Sequence, residues 1–219
     1  MRILPVTPTR RRFLESSAAV LAFGSVALAT VPAAAQGAFD VAEIMKPGPL
    51  PEMTLGKADA PITVVEYSSM TCGHCANFHK TVFPYLKEKY IDTGKVLFVH
   101  REFPLDPLAA AVSMLVRCSP KEKYFDMLSL FFEQQATWVR SDDPVSALRK
   151  LTRQVGFTEE SFKTCLTDQK LLDDLGAIRQ RASDTFRVDG TPAFFVNGRP
   201  SKGMSTKEEL DKALAPFLK

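Results

Sequence analysis

The sequence predicts an α/β protein in which two strand-forming regions bracket a long helical block. Three observations carry this. Pro61-Ile62-Thr63-Val64-Val65-Glu66-Tyr67 is a β-branched apolar run of strand length, and Lys95 to Phe103 is a second. From 107 to 187 the periodic segments repeat at helical spacing. Ala193-Phe194-Phe195-Val196 then returns to strand chemistry, and Asn197-Gly198 marks a hairpin turn into a short Arg199 to Met204 segment.

Taken in order, residues 36 to 52 carry Pro47, Pro49 and Pro51 around Gly48 and read as an extended N-terminal arm. The first strand ends at Ser68-Ser69. A helix is expected from Cys72 to Tyr90, because Phe78, Val82, Tyr85 or Leu86 and Tyr90 recur at spacings of three and four, with a kink at Pro84. Gly94 leads into the second strand. Within the helical block, Ser119-Pro120 and Asp143-Pro144 place a capping side chain before a proline at the first helical position. Gly156 closes one helix and Thr158 opens the next. Thr206-x-x-Glu209 is a capping-box pattern that starts a last helix, expected to run to Leu218.

With 219 residues, 45% hydrophobic and 24% charged, and 16 Phe against 11 Gly, the chain can bury one or two cores. That excludes a disordered, collagen-like or disulfide-stapled miniprotein. The net charge of +3 is local. Four arginines against Glu15 in residues 1 to 35 account for all of it, and the remainder carries as many bases as acids. A neutral body offers no electrostatic argument for nucleic acid or anionic lipid as a partner.

Residues 1 to 35 read as an export signal. Arg10-Arg11-Arg12 precede an Ala-rich apolar stretch, and Ala33-Ala34-Ala35 supply an A-x-A cleavage pattern, so the mature chain is expected to start near Gln36. A transmembrane anchor is the weaker reading, since the stretch includes Gly24, Ser25 and Thr30 and is short of the ~20 apolar residues a bilayer needs. Thr9-Arg10-Arg11-Arg12-Phe13-Leu14 resembles the twin-arginine export pattern, with Glu15 where a basic residue would continue it, so general secretion stays open. Either route delivers the chain to the periplasm, where disulfides persist.

Cys72-Gly73-His74-Cys75 falls where a strand hands over to a helix. Unpaired N–H groups and the helix dipole stabilise a thiolate there, and a second thiol on the same turn can attack a mixed disulfide formed at the first. His74 can add a charge or a hydrogen bond to Cys72. Lowering the Cys72 pKa stabilises the reduced form and makes the disulfide a better oxidant.

On the strand Val64-Val65-Glu66-Tyr67, the Cys72-Gly73-His74-Cys75 motif and Gly190-Thr191-Pro192 before a strand, the chain resembles the thioredoxin superfamily, and within it the DsbA-like periplasmic thiol oxidases. The resemblance covers 55 to 219. It implies a thioredoxin fold, a mixed central sheet with flanking helices, carrying an inserted all-helical domain. The chain then divides into signal 1–35, arm 36–54, thioredoxin part 55–105, helical insertion 106–175 and thioredoxin part 176–219. It also implies that Thr191-Pro192 is a cis peptide beside the reactive pair, and that Glu66 is a buried acid exchanging protons with Cys75. The alternative reading of Glu66 is an exposed strand-end carboxylate. The dipeptide departs from the pattern: DsbA proteins usually have Pro-His, whereas Gly-His is typical of protein disulfide isomerases, so the redox potential does not carry over.

Cys118 and Cys165 both lie in the helical block, and in an oxidising compartment they read as a structural disulfide, with two buried free thiols as the alternative. His79, four residues after Cys75, raises a metal reading with Cys72 and Cys75 that lacks a fourth ligand; otherwise it is a polar position on a helix face. His100 reads as structural or solvated. Met70, Phe194 and Phe195 are either core or an apolar surface for unfolded chains.

The function expected is an exported, monomeric thiol:disulfide oxidase that needs no cofactor, gives its Cys72–Cys75 disulfide to reduced unfolded proteins and is reoxidised by a DsbB-like quinone-linked membrane enzyme. An isomerase or reductase is the nearest alternative, although the stretch from Gln36 to Leu55 is too short for the separate N-terminal domain of DsbC-type dimers. An exported metal carrier or a non-catalytic thioredoxin-like holdase is the alternative from another class.

Overall fold

The structure is a computed structural model that describes residues 38–218; the expected export signal lies outside the described residues. The proline-rich segment is not simply extended. It carries a helical turn, α1 (Val41–Ile44), capped by Asp40, and a short strand, β1 (Met53–Leu55). Ile44 is fully buried, and the Phe39 N–H donates to Gly198 O at 2.8 Å. Gly198 takes a positive φ of 76°, and a Cβ there would collide with the Phe39 carbonyl, so only glycine lets the segment seat against the turn.

The strand run forms β2 (Ile62–Ser68), and the following helix is divided. α2 (Gly73–Thr81) ends at Val82, and α3 (Phe83–Leu86) restarts with Pro84 in its first turn and widens into a π-helical turn at Lys87–Ile91. Proline cannot supply the N–H of a continuous ladder, so the break falls in the turn before Pro84. β3 (Val96–Glu102) follows.

Six helices make up the block: α4 (Pro107–Arg117), α5 (Tyr124–Glu133), α6 (Gln135–Val139), α7 (Pro144–Arg153), α8 (Glu159–Leu166) and α9 (Gln169–Phe186). Asp143 caps α7, and Thr158 and Ser161 form a reciprocal capping box on α8. Ser119 does not cap; its hydroxyl donates back to Val116 O, and a 3₁₀ turn at Lys121–Lys123 precedes α5. α9 is continuous through the expected boundary at 175. Its first half packs Leu175 on the helical core, while Ala182 and Phe186 pack on the sheet, so one helix serves two cores.

β4 (Ala193–Val196) and β5 (Arg199–Ser201) form the hairpin, and α10 (Lys207–Leu214) closes the chain with a 3₁₀ turn to Phe217. Thr206 caps α10, yet the Glu209 carboxylate accepts from Ser205 N rather than Thr206 N, so the box is not reciprocal.

The five strands are ordered β1-β3-β2-β4-β5, with β2 parallel to β3 and antiparallel to β4. Strand periodicity sends Ile62, Val64 and Glu66 to one face, toward α2 and α10, and Val65 and Tyr67 to the other, toward α9. The parallel register sets Glu66 opposite His100. No helix among the described residues is long and apolar enough to cross a membrane.

Candidate active site

Cys72 is the N-cap residue of α2, with extended backbone and no capping side chain. Its sulfur is partly exposed, while Cys75, one turn on, is fully buried; both are free thiols. The Cys72 thiol donates to Thr191 O at 3.2 Å, and the Thr191–Pro192 peptide beside it is cis. Hydrogen bonding with the Cys75 thiol, then with Thr191 and with the backbone N–H groups of Cys75 and His74, outweighs partial burial and lowers the Cys72 pKa to about 5. Burial first, and then the hydrogen bond to Cys72 and the charge of Glu66, push the Cys75 thiol in the opposite direction. Cys72 is therefore poised as thiolate and leaving group, whereas Cys75 stays protonated until a base takes its proton.

Gly73 and His74 are exposed at the first turn of α2. His74 lines a groove of about 670 Å³ together with Phe186, Val188, Thr191, Pro192 and Met204. Beneath α2, Glu66 has no exposed surface and lies 2.9 Å from His79 Nε2. His79 is thus a buried partner of Glu66, not a polar position on an open helix face, because Phe132 of α5 stacks on its ring at 4.4 Å. His100 is buried as well, between Ser68 Oγ at 2.6 Å and the Tyr124 hydroxyl at 2.7 Å, and burial lowers its pKa to about 4.

The helical block forms the other wall. Met70, Cys75 and Ala76 belong to the same buried cluster as Phe131, Phe132 and Trp138, so Cys75 shares one core with the helical block. Gln135 Nε2 donates to Met70 O at 2.8 Å and Cys72 O at 3.0 Å, tying α6 to the reactive loop. Sequence reasoning missed Gln135, since a single glutamine 63 residues from Cys72 carries no pattern. Phe194 and Phe195 are core. Cys118 and Cys165 form a disulfide, with Cα atoms 6.1 Å apart, that joins the end of α4 to α8.

The sequence profile of the thioredoxin family matches residues 50–215. A Rickettsia bellii protein described as a protein-disulfide oxidoreductase is 38% identical over 167 residues, which is 74% of this chain and 64% of that one. Disulfide bond formation protein D of Bacillus subtilis is 27% identical over 176 residues, covering 75% and 76%. The match spans less than two thirds of the length of the rickettsial relatives. Among solved structures, alpha-DsbA1 of Wolbachia pipientis superposes with a TM-score of 0.72 at 30% identity, covering 80% of this chain and 94% of that one. Oxidised BdbD from Bacillus subtilis, at 20% identity and TM-score 0.65, shares the fold, with 76% and 92% covered.

Proposed function

The chain belongs to the DsbA-like proteins of the thioredoxin family, and from that premise we propose that it is a thiol:disulfide oxidase that passes its Cys72–Cys75 disulfide to reduced, unfolded proteins outside the cytoplasm. A substrate thiolate attacks Cys72 Sγ, the Cys72–Cys75 bond breaks, and Cys75 leaves with the electron pair and takes up a proton. A second substrate thiolate then attacks the substrate sulfur of the mixed disulfide, and Cys72 departs as a thiolate. The substrate is oxidised by two electrons and the protein is left as a dithiol. A quinone-linked membrane oxidase of the DsbB kind restores the disulfide.

The observation that supports this reading best is the opposed titration of the two sulfurs. A Cys72 thiolate stable down to about pH 5 favours the reduced protein and so makes the disulfide oxidising. The groove beside Pro192, with Phe186, Val188 and Met204 in its walls, suits an extended apolar chain. Export by the signal in residues 1 to 35 and structural roles for Thr191 and Pro192 at the bound substrate belong to the same proposal.

Equilibration with glutathione tests it. A potential clearly more oxidising than the roughly −270 mV of thioredoxin is expected, and one as reducing as thioredoxin would sink the oxidase reading. Cys72→Ser should abolish thiol oxidation, whereas Cys75→Ser should trap substrate on Cys72 as a mixed disulfide. Full oxidase turnover by Cys75→Ser would show that the two-cysteine mechanism is wrong.

A further inference from the structure

The family resemblance gives Glu66 a proton-exchange role toward Cys75, but it leaves the buried partner of Glu66, His79, without one. Glu66 Oε2 is bound to His79 Nε2, and among the described residues neither Glu66 Oε1 nor His79 Nδ1 has a hydrogen-bond partner. His79 follows Cys75 by four residues on α2, so both side chains occupy one helix face. Glu66 comes up from β2 beneath that face, close enough for its charge to act on Cys75.

We propose that His79 is a positioning residue for the Cys75 half of the reaction: its Nε2–H holds and orients one oxygen of the Glu66 carboxylate, leaving Oε1 open to take the proton of the Cys75 thiol. The inference rests on thiol–disulfide exchange at Cys72 and Cys75. In the step concerned, the Cys75 proton passes to Glu66 and the Cys75 thiolate attacks Cys72 Sγ. The bond from Cys72 to the bound thiol breaks, and that thiol leaves as a thiolate.

Every neighbour of the pair is compatible with this assignment. An ionised carboxylate without hydrogen bonds is costly in a dry site, and among the described residues His79 is the one side chain bonded to Glu66. The imidazole cannot turn away, because Phe132 from α5 stacks on it and Phe78 and Phe83 flank it at 5.3 and 5.0 Å. From β3, His100 faces the pair with both ring nitrogens committed and its proton lost above about pH 4, so it acts as neither acid nor base near neutrality. Tyr124 at the start of α5 is bonded to Glu102, whose charge the Arg117 guanidinium neutralises at 2.6 and 2.7 Å. Ligand atoms of Glu66, His79 and His100 lie within 4.8 Å of one another, as in a three-ligand metal site, but each His100 nitrogen is already bonded, so a metal would have to displace Ser68 or Tyr124 from one of them.

The test follows reaction of the fully reduced protein with oxidised glutathione, quenched by alkylation and read by mass spectrometry across pH 5 to pH 9. Wild type should glutathionylate at Cys72 and resolve rapidly. His79→Phe should accumulate the mixed disulfide, with resolution slowed about tenfold at neutral pH and recovering as pH rises. His79→Gln, which restores an N–H donor, should regain most of the rate. Unchanged resolution and pH profile in His79→Phe, with wild type behaving as described, would overturn the inference, as would failure of the Gln variant to recover. Wild type that forms no mixed disulfide at all would instead overturn the exchange reading. Should the Phe variant not fold, nitrogen NMR of the wild-type ring decides: Nε2 protonated and Nδ1 bare is expected, and the reverse tautomer refutes it.

Discussion

Cys72 and Cys75 share one turn of α2, yet their environments drive their protons in opposite directions. Cys72 is lowered to about 5 from the ordinary 9.0, because hydrogen bonding with Cys75 above all, and with Thr191 and two backbone N–H groups, outweighs the partial burial of its sulfur. An acid lowered on folding stabilises the folded dithiol fully above its unfolded value, and that contribution is lost as pH falls through the folded one. The stability of reduced wild type over reduced Cys72→Ala should therefore grow between about pH 5 and pH 9 in denaturant unfolding, and a gap independent of pH would contradict the assignment. The motif was legible in the sequence because spacing alone puts two sulfurs on one turn. The burial of Cys75 was not, since the core it joins is built mostly by a helical block dozens of positions away.

At the scale of the element, α2 depends on what starts it and what lies under it. Gly73 occupies its first position, and a Cβ there would meet nothing within 4 Å. Proline fits the first helical position without loss of a needed donor, and the N–H groups that act on Cys72 belong to His74 and Cys75. Gly73→Pro should raise stability by about 0.4 to 1 kcal/mol while Cys72 still titrates near 5, as thiolate absorbance would show; a destabilised variant would mean the backbone there is not helical. Most caps were readable in the sequence, Asp143 and Thr158 among them. Ser119 was not, because its hydroxyl found the Val116 carbonyl at the end of α4 before any helix began. The break at Val82 likewise shows that periodicity marks a helical stretch without marking its interruptions.

Across the whole molecule, two devices join the helical block to the sheet and to itself. His100 and Glu102 of β3, Tyr124 of α5 and Arg117 of α4 form one buried network, and Cys118–Cys165 closes a loop of 47 residues within the block. Replacing both cysteines by alanine should cost up to about 4 kcal/mol in urea unfolding by the chain-entropy estimate, and no loss would show that the loop is held by packing alone. His100 is buried neutral and titrates near 4, below the ordinary 6.5, so the unfolded chain binds the extra proton in that interval. Stability should fall as pH drops from 6.5 toward 4, by at most about 1.4 kcal/mol per pH unit from this residue, and His100→Gln should flatten that slope. By itself the sequence determined the strand and helix regions from β2 onward, the reactive motif and the family, because these rest on local spacing and short motifs, whereas α1 and β1 were hidden in a proline-rich stretch. Only the tertiary structure decided that Glu66 is buried, that His79 is its partner, that His100 stands opposite through a parallel register, and that Gln135 and Phe132 arrive from the helical block. Such contacts join residues distant along the chain, and their chemistry is set by desolvation that no single segment carries.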